Sequence, residues 1–217
     1  MKINTVGVIG MGQMGRGIAE VCSLAGYKVL ATDVDEKALS DSKSVILNDL
    51  QKLEKKDKIR FEEINNAIGQ ITFSKDLSEF SNCDLIIEAA TENEQIKKKI
   101  FSNLKPIIKD DSILATNTSS ISVTRLATGT ERPENFMGLH FMNPAPLMNL
   151  VELVRGIATS EKTYRALDDF VIKLGKSSSV SEDFPAFIVN RVLMPMINEA
   201  IYSLYEGVGN VENIDKS

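Results

Sequence analysis

The feature that most constrains the fold is a glycine-rich segment, GMGQMG, that directly follows the first apolar run of the chain. It lies between residues 3–9, which have the pattern of a strand, and residues 14–25, which have the pattern of a helix. In that context Gly10 permits a tight turn, Gly12 lets the backbone approach a pyrophosphate, and Gly15 allows close helix packing. Unpaired amides at the start of a helix attract phosphates. The segment therefore predicts a dinucleotide-binding βαβ unit.

An acidic residue follows at the distance that such a unit requires. Asp33 ends the second predicted strand, about 20 residues beyond the glycines, where a carboxylate can bind the hydroxyls of an adenosine ribose. The alternative is that Asp33 only caps the next helix. No arginine immediately follows Asp33, so a 2′-phosphate would meet a carboxylate without a cationic partner. The sequence therefore favours NAD over NADP as the cofactor.

Short β-rich runs alternate with longer helical patterns along the chain. Strands are predicted near 3–9, 27–33, 70–73, 84–88, 112–115, 135–141, 149–154 and 177–181, and helices near 14–25, 35–56, 61–68, 93–108 and 160–174. Continuously apolar runs such as 85–87 and 113–115 are typical of strands that helices cover on both faces. The expected fold is α/β, a doubly wound, mostly parallel, Rossmann-like sheet with a helical hairpin inserted near 35–69.

The pattern changes after Phe184, and the domain boundary is expected there because the next residue is a proline. Residues 1–184 would form the NAD-binding domain, and residues 185–217 the start of an all-helical second domain. One long helix is predicted from Phe187 to about Glu206. It is apolar over so much of its circumference that we expect it to be buried.

Composition excludes several classes of function. A net charge of −5 and a pI near 5.1 argue against a nucleic-acid or anionic-membrane surface. Because the chain starts directly with the first strand pattern and has no run of about 18 apolar residues, a cytoplasmic protein is expected. The two cysteines, Cys22 and Cys83, lack metal-type spacing, and a single histidine leaves no histidine-based metal site to expect.

Polar residues cluster directly after two of the apolar strands, and ligands bind at such strand ends in an open parallel sheet. His140 lies at one of these ends. Glu152 is the one charge within the apolar strand 149–154, and His140 is its natural partner because a buried carboxylate needs one. Imidazole suits a base that works near neutral pH, and a carboxylate on its far nitrogen fixes the tautomer. Taken alone, the two residues would more often form a satisfied core pair than a catalytic one.

With these features the sequence resembles the 3-hydroxyacyl-CoA dehydrogenase family over essentially its whole length. The resemblance is carried by the segments GMGQMGRGIA, NTSS, GLHFMNPAPLMNLVELVRG and FIVNRVLMPMINEA. It implies an NAD-dependent oxidoreductase of fatty acid and butyrate metabolism, with a short-chain 3-hydroxyacyl-CoA as its substrate. The reaction would interconvert that compound and the 3-oxoacyl-CoA by hydride transfer.

The resemblance also implies roles for individual residues. His140 would be the general base and Glu152 would orient it, while Ser119 and Asn190 would hydrogen-bond the oxygens of the substrate. Four residues would lie near the nicotinamide half of the cofactor: Glu92, Lys97, Asn117 and Asn143. Asn190 falls on the second-domain helix, so its role requires an active site between the domains. At Ala186 the chain departs from the family, which commonly has glycine there.

A cationic segment falls within the predicted helical hairpin between the second and third strands. Residues 52–60 carry five cations against two anions. The family uses this region near the CoA nucleotide, so Lys52 and Lys56 are candidate contacts for CoA phosphates. The alternative is a solvated helix face.

Two other functions stay open at this point. Another β-hydroxyacid dehydrogenase would share the nucleotide fold, but it would be expected to use a catalytic lysine. A non-catalytic NAD-binding sensor would keep the fold without turnover, although the intact catalytic set argues against it. Relatives in the family continue beyond Ser217, so we expect a truncated form that turns over acyl-CoA poorly and self-associates through its apolar helix as a homo-oligomer, such as a dimer.

Overall fold

A computed structural model describes residues 2–217, and a single eight-stranded sheet runs through its centre. The strands are β1 (Thr5–Ile9), β2 (Lys28–Thr32), β3 (Ile71–Phe73), β4 (Leu85–Glu88), β5 (Ile113–Thr116), β6 (Phe136–Phe141), β7 (Leu150–Arg155) and β8 (Ser177–Glu182). Their order across the sheet is β3-β2-β1-β4-β5-β6-β7-β8. All neighbouring strands are parallel except β6 and β7. The expected doubly wound, mostly parallel α/β fold is confirmed.

Helices follow most of the strands. They are α1 (Gln13–Leu24), α2 (Glu36–Glu54), α3 (Phe61–Gly69), α4 (Glu94–Leu104), α5 (Val123–Ala127), α6 (Glu161–Lys173), α7 (Val189–Tyr205) and α8 (Val211–Lys216), with short 3₁₀ segments at Leu77–Asn82 and Pro133–Asn135. The sequence patterns did not predict α5, because five residues are too few for a helical period to be recognised. Helices α2 and α3 form the expected hairpin between β2 and β3.

Two apolar cores cover the two faces of the sheet. On one face, Val8 and Ile87 pack with residues of α1, α2, α3 and α6. On the other face, Ile9 and Ile86 pack with residues of α4 and α5. Successive strand residues point to opposite faces, which explains why strands of continuous apolar composition are required here. The polar strand ends are then left at one edge of the layered structure.

Helix α7 differs from the expectation. It begins at Val189, and none of its residues is buried. Val192 is 62% exposed and Tyr205 is 85% exposed, so the helix is not buried against the rest of residues 2–217. Its start is tied to the sheet by the hydrogen bonds of Ile188 and Val189 to Glu152, and along its length it packs mainly against α8.

None of the helices within residues 2–217 combines the length and the apolar character that a membrane span needs.

Candidate active site

Helix α1 begins directly in front of an open space. Its N-cap is Gly12, which makes no side-chain cap, whereas the side chains of Asp35 and Asn93 cap α2 and α4. A Cβ added at Gly12 would meet nothing within 4 Å. The first amides of α1 are therefore uncapped and their backbone is accessible, as a pyrophosphate-binding site requires.

The other two glycines make the close approaches that the loop needs. Gly10 has a φ of +96°, and a Cβ there would lie 2.4 Å from the Cα of Ala90. A Cβ on Gly15 would lie 1.7 Å from the carbonyl oxygen of Gly10. Both positions exclude any larger residue without backbone movement.

Asp33 holds the glycine-rich loop. Its Oδ2 accepts a hydrogen bond from the Met11 backbone N–H at 2.5 Å, and its Oδ1 accepts one from Asp35 N–H at 2.8 Å. Because Asp35 is the N-cap of α2, the interpretation of Asp33 as a mere helix cap is wrong. Asp33 also lines a cavity of about 570 Å³ next to Gly10. Its position beside this cavity fits an adenosine ribose.

A second cavity of about 520 Å³ lies on the other side of Ala90, which lines both. Most of the residues expected at the active site line this second cavity: Glu92, Lys97, Asn117, Ser119, His140, Asn143 and Asn190. Two adjoining cavities that share Ala90 match the two halves of a dinucleotide. They lie where the strand order reverses, at the carboxyl ends of β1 and β4.

The histidine and glutamate that the sequence predicts to be a pair lie on the two antiparallel strands, β6 and β7. His140 and Glu152 are register partners in β6 and β7, and Nδ1 of His140 lies 3.0 Å from Oε2 of Glu152. Glu152 is fully buried, while His140 is 7% exposed and lines the cavity. The imidazole therefore has its Nδ1 directed at the carboxylate and its other nitrogen left for a ligand.

The second oxygen of Glu152 reaches the start of α7. Oε1 accepts hydrogen bonds from the backbone N–H groups of Ile188 at 2.7 Å and Val189 at 3.0 Å. Burial alone would raise the pKa of Glu152, but the hydrogen bonds from His140, Ile188 and Val189 outweigh burial and lower it. The carboxylate form is thus favoured where it serves both the imidazole and the helix.

Two residues that the sequence analysis did not assign to the site shape the entry into α7. Ala186 and Phe187 have φ values of +67° and +52°, so the chain turns through the left-handed region at both. Glycine is favoured there, which gives the departure at Ala186 a local backbone cost. The turn places the buried ring of Phe187 5.9 Å from the His140 ring, edge to face.

Glu92 organises the loop that carries Ser119. Its Oε1 accepts hydrogen bonds from Thr118 Oγ1 at 2.7 Å, Ser120 Oγ at 2.8 Å and the backbone N–H of Ser119 at 3.0 Å. Burial opposes ionisation, but these hydrogen bonds and the Lys97 ammonium lower the pKa of Glu92. The Ser119 hydroxyl itself donates to this oxygen at 3.3 Å, a longer and weaker hydrogen bond than the others.

Lys97 is paired with a carboxylate that the sequence analysis missed. Its Nζ donates to both oxygens of Glu88, at 2.9 and 2.6 Å, and both side chains are almost fully buried. Glu88 also accepts from Thr116 Oγ1 and from Ala90 N–H, each at 2.8 Å. The signal for Glu88 was the same as for Glu152, a single charge in an apolar strand.

Asn117 and Asn190 come to the cavity from different elements. Asn117 follows β5, and its Oδ1 accepts from the backbone N–H of Phe141 at 2.8 Å, which ties the ends of β5 and β6 together. Asn190 is the second residue of α7 and lines the same cavity as His140. Ser119 and Asn143 lie on the loops after β5 and β6.

Lys52 and Lys56 lie outside that cavity. They line a separate cleft of about 270 Å³ between α1, α2 and residues 144–147. Lys52 pairs with Asp49 at 2.7 Å on the surface of α2. The structure therefore brings the two lysines together with each other but not with His140.

The chain is similar to known proteins over nearly its whole length. Residues 5–184 match the family described as "3-hydroxyacyl-CoA dehydrogenase, NAD binding domain", and residues 187–217 match "3-hydroxyacyl-CoA dehydrogenase, C-terminal domain". A 3-hydroxybutyryl-CoA dehydrogenase of Bradyrhizobium diazoefficiens is 54% identical over 98% of this chain and 73% of its own length. A 3-hydroxybutyryl-CoA dehydrogenase of Mycobacterium tuberculosis is 38% identical over 99% and 76%.

Solved structures give the same relationship. The crystal structure of (S)-3-hydroxybutyryl-CoA dehydrogenase from Ralstonia eutropha superposes with a TM-score of 0.93 at 40% identity, covering 98% of this chain and 75% of that one. The family resemblance and NAD as the cofactor are thereby confirmed. The chain belongs to the 3-hydroxyacyl-CoA dehydrogenase family and carries its NAD-binding domain.

Proposed function

We propose that this protein interconverts 3-hydroxybutyryl-CoA and acetoacetyl-CoA with NAD as the hydride carrier. The observation that carries the proposal is the contact of 3.0 Å between His140 Nδ1 and Glu152 Oε2, at the wall of a cavity that adjoins the dinucleotide loop. The relatives from Bradyrhizobium diazoefficiens and Ralstonia eutropha are named for this substrate, which supports the short acyl chain.

His140 acts as the base in this proposal. With its Nδ1–H donated to Glu152, its other ring nitrogen, Nε2, is unprotonated and accepts the proton of the substrate 3-hydroxyl. Glu152 stabilises the imidazolium that forms, and in the reverse direction the imidazolium returns the proton to the ketone oxygen. When bound, the nicotinamide ring supplies the site that takes up or gives the hydride.

Ser119 and Asn190 position the substrate in the same proposal. Both line the cavity with His140, one on the loop after β5 and one on α7. Their hydroxyl and amide groups are suited to hydrogen-bond the 3-oxygen and the thioester oxygen of the substrate. Glu92, Lys97, Asn117 and Asn143 would contact the nicotinamide half of the cofactor, whereas Gly10, Gly12, Gly15 and Asp33 would hold the adenosine diphosphate half.

The CoA portion of the substrate is proposed to lie in the cleft beside Lys52 and Lys56. The cleft and the cavity are neighbours, since Asn143 lines one and Pro144 the other. Exposed ammonium groups at the end of α2 would attract the phosphates of CoA.

The proposal includes a helical second domain over residues 185–217 and a homo-oligomeric enzyme, such as a dimer, in the cytoplasm. The apolar residues that α7 exposes, among them Val192 and Ile201, support association because large exposed apolar patches are normally covered. Light scattering would test it, and a monodisperse monomer would contradict it.

The experiment that tests the function is the oxidation of NADH, followed by absorbance, with acetoacetyl-CoA as substrate. Turnover that falls by about two to four orders of magnitude in His140→Gln, with NADH affinity nearly unchanged, supports the proposal. Tight NADH binding without turnover would instead support a sensor. Turnover that is retained in His140→Gln would remove His140 from the mechanism.

A further inference from the structure

One buried carboxyl group has no role in the site described so far. Glu20, on α1, is only 2% exposed. Its Oε1 is the one buried side-chain oxygen or nitrogen among residues 2–217 that has no hydrogen-bond partner. Leaving a buried polar group unpaired is costly, by about 1–3 kcal/mol. A group of this kind calls for an explanation, and a bound ligand that completes its hydrogen bonds is one.

Glu20 lies at the wall of the cleft that Lys52 and Lys56 line. The cleft lies close to the cavity that His140 lines, since Met14 and Asn143 line the cavity while their chain neighbours Gln13 and Pro144 line the cleft. A ligand that reacts at His140 could therefore continue into the cleft along α1.

The charges around Glu20 come from α1 and α2. Burial first and the Asp49 carboxylate second raise the pKa of Glu20 to about 7, against the opposing effect of Lys52. Arg16 and Lys56 also line the cleft, whereas residues 144–147 bring no charged side chain. That loop is tied by Lys176, whose Nζ donates to the Ala145 and Met148 carbonyls at 2.7 Å each. The buried side chains of α3 are those of Ile64 and Ala67 and do not titrate.

We propose that Glu20 binds the pantetheine chain of the acyl-CoA, with its free Oε1 accepting a hydrogen bond from an amide N–H of that chain. The inference deepens the proposed function and rests on its placement of CoA in this cleft. The amide is the chemical group that fits, because it presents a neutral donor to a carboxylate within a narrow cleft. The phosphates beyond it would meet the exposed lysines instead.

The hydrogen bond makes substrate binding depend on pH. A donated N–H stabilises the carboxylate form, so binding lowers the pKa of Glu20 and is tighter when Glu20 is already ionised. Since the free protein has a Glu20 pKa of about 7, the KM for the acyl-CoA should fall as the pH rises from 6 to 8.

The test compares Glu20→Gln and Glu20→Leu with Glu62→Leu, an exposed glutamate of α3, as the matched control. KM and kcat are measured between pH 6 and pH 8 with acetoacetyl-CoA and with acetoacetyl-pantetheine, which keeps the amides and lacks the nucleotide. Glu20→Leu should raise KM for both substrates about ten-fold, with kcat and the KM for NADH nearly unchanged. It should also raise the melting temperature, because it removes an unpaired buried group.

Glu20→Gln keeps an acceptor oxygen, so its KM should stay within about three-fold of the wild type at pH 8 and lose the fall with pH. A KM that is unchanged in Glu20→Leu, or a pH dependence that persists in Glu20→Gln, would overturn the inference. The calorimetric affinity for acetoacetyl-pantetheine in the presence of NAD⁺, which cannot reduce the ketone, separates the two proposals. If turnover is absent but this affinity still falls in Glu20→Leu, the proposed function fails and the binding role of Glu20 stands.

Discussion

Glu152 accepts the backbone N–H of Ile188 at 2.7 Å, although the two residues are 36 positions apart. The other oxygen of the same carboxylate holds His140 at 3.0 Å. The group that orients the proposed base therefore also fixes the first turn of α7, on which Asn190 lies. Orientation of the imidazole and placement of Asn190 at the cavity depend on one side chain.

Glu152→Gln tests this coupling. The amide can still accept from Ile188 through its oxygen, but its NH₂ group would face His140 Nδ1 and favour the wrong tautomer. We expect kcat with acetoacetyl-CoA to fall by about two to four orders of magnitude and its pH profile to shift. The KM for NADH should be nearly unchanged. A pH profile identical to that of the wild type would mean that the pair is not coupled.

Asp33→Ala should weaken NADH binding more than NADPH binding. The variant removes the proposed ribose contacts of NADH and, for NADPH, a repulsion between the 2′-phosphate and the carboxylate. Because Asp33 also holds Met11 N–H, we expect some loss of affinity for both cofactors. Fluorescence titration with each cofactor measures the ratio.

Asp35→Ala is the control for Asp33→Ala. Asp35 caps α2 through Lys37 N–H, so its removal should cost about 0.5–2 kcal/mol of stability without changing the preference between cofactors. Equal losses of NADH and NADPH affinity in Asp33→Ala would contradict the ribose assignment.

Lys97→Met should destabilise the fold by about 3–5 kcal/mol, because it leaves the buried Glu88 carboxylate without its partner. Chemical denaturation measures the loss. Adding Glu88→Gln to Lys97→Met should restore part of the lost stability, since the unpaired carboxylate charge is then removed as well. Lys98→Met, one residue along α4, breaks only a partly exposed pair with Glu94 and should cost less than about 1 kcal/mol. Equal costs for Lys97→Met and Lys98→Met would show that burial of the Glu88 pair does not matter.

Asp183→Asn should change the response of stability to acid. Burial would raise the pKa of Asp183, but hydrogen bonds from Ser122, Thr124 and Val123 at the start of α5 lower it. A carboxyl whose folded pKa is depressed stabilises the fold above its unfolded pKa, about 3.9, and loses that contribution as the pH falls through the folded value.

The wild type should therefore lose more stability than Asp183→Asn between pH 5 and pH 3 in thermal unfolding, and the variant should be the less stable at pH 7 by about 1–3 kcal/mol. Asp169→Asn, on the exposed face of α6, serves as the control and should follow the wild type. Parallel acid curves for wild type and Asp183→Asn would contradict the assignment.

The strands and the edge of the sheet where the site lies could be predicted from the sequence, because apolar periodicity and the glycine-rich segment are local signals. The pairing of His140 with Glu152 could be predicted too, since a lone charge in an apolar strand needs a partner. Glu88, at the end of the apolar strand β4, carries the same signal. The exposure of α7, the left-handed turn at Ala186 and the unpaired oxygen of Glu20 depend on what surrounds them in space, which no local pattern specifies.

The antiparallel pairing of β6 and β7 keeps the proposed proton-transfer pair separate from the loop that lines the cavity and the cleft. His140 and Glu152 face each other because of strand register, and a slip by one residue would send one of them to the opposite face of the sheet. Residues 142–149 join the two strands and lie outside that pairing. Of these, 142–143 line the cavity and 144–147 line the cleft. Substitutions in this connection can therefore alter which acyl-CoA is accepted while the proton-transfer pair is inherited unchanged.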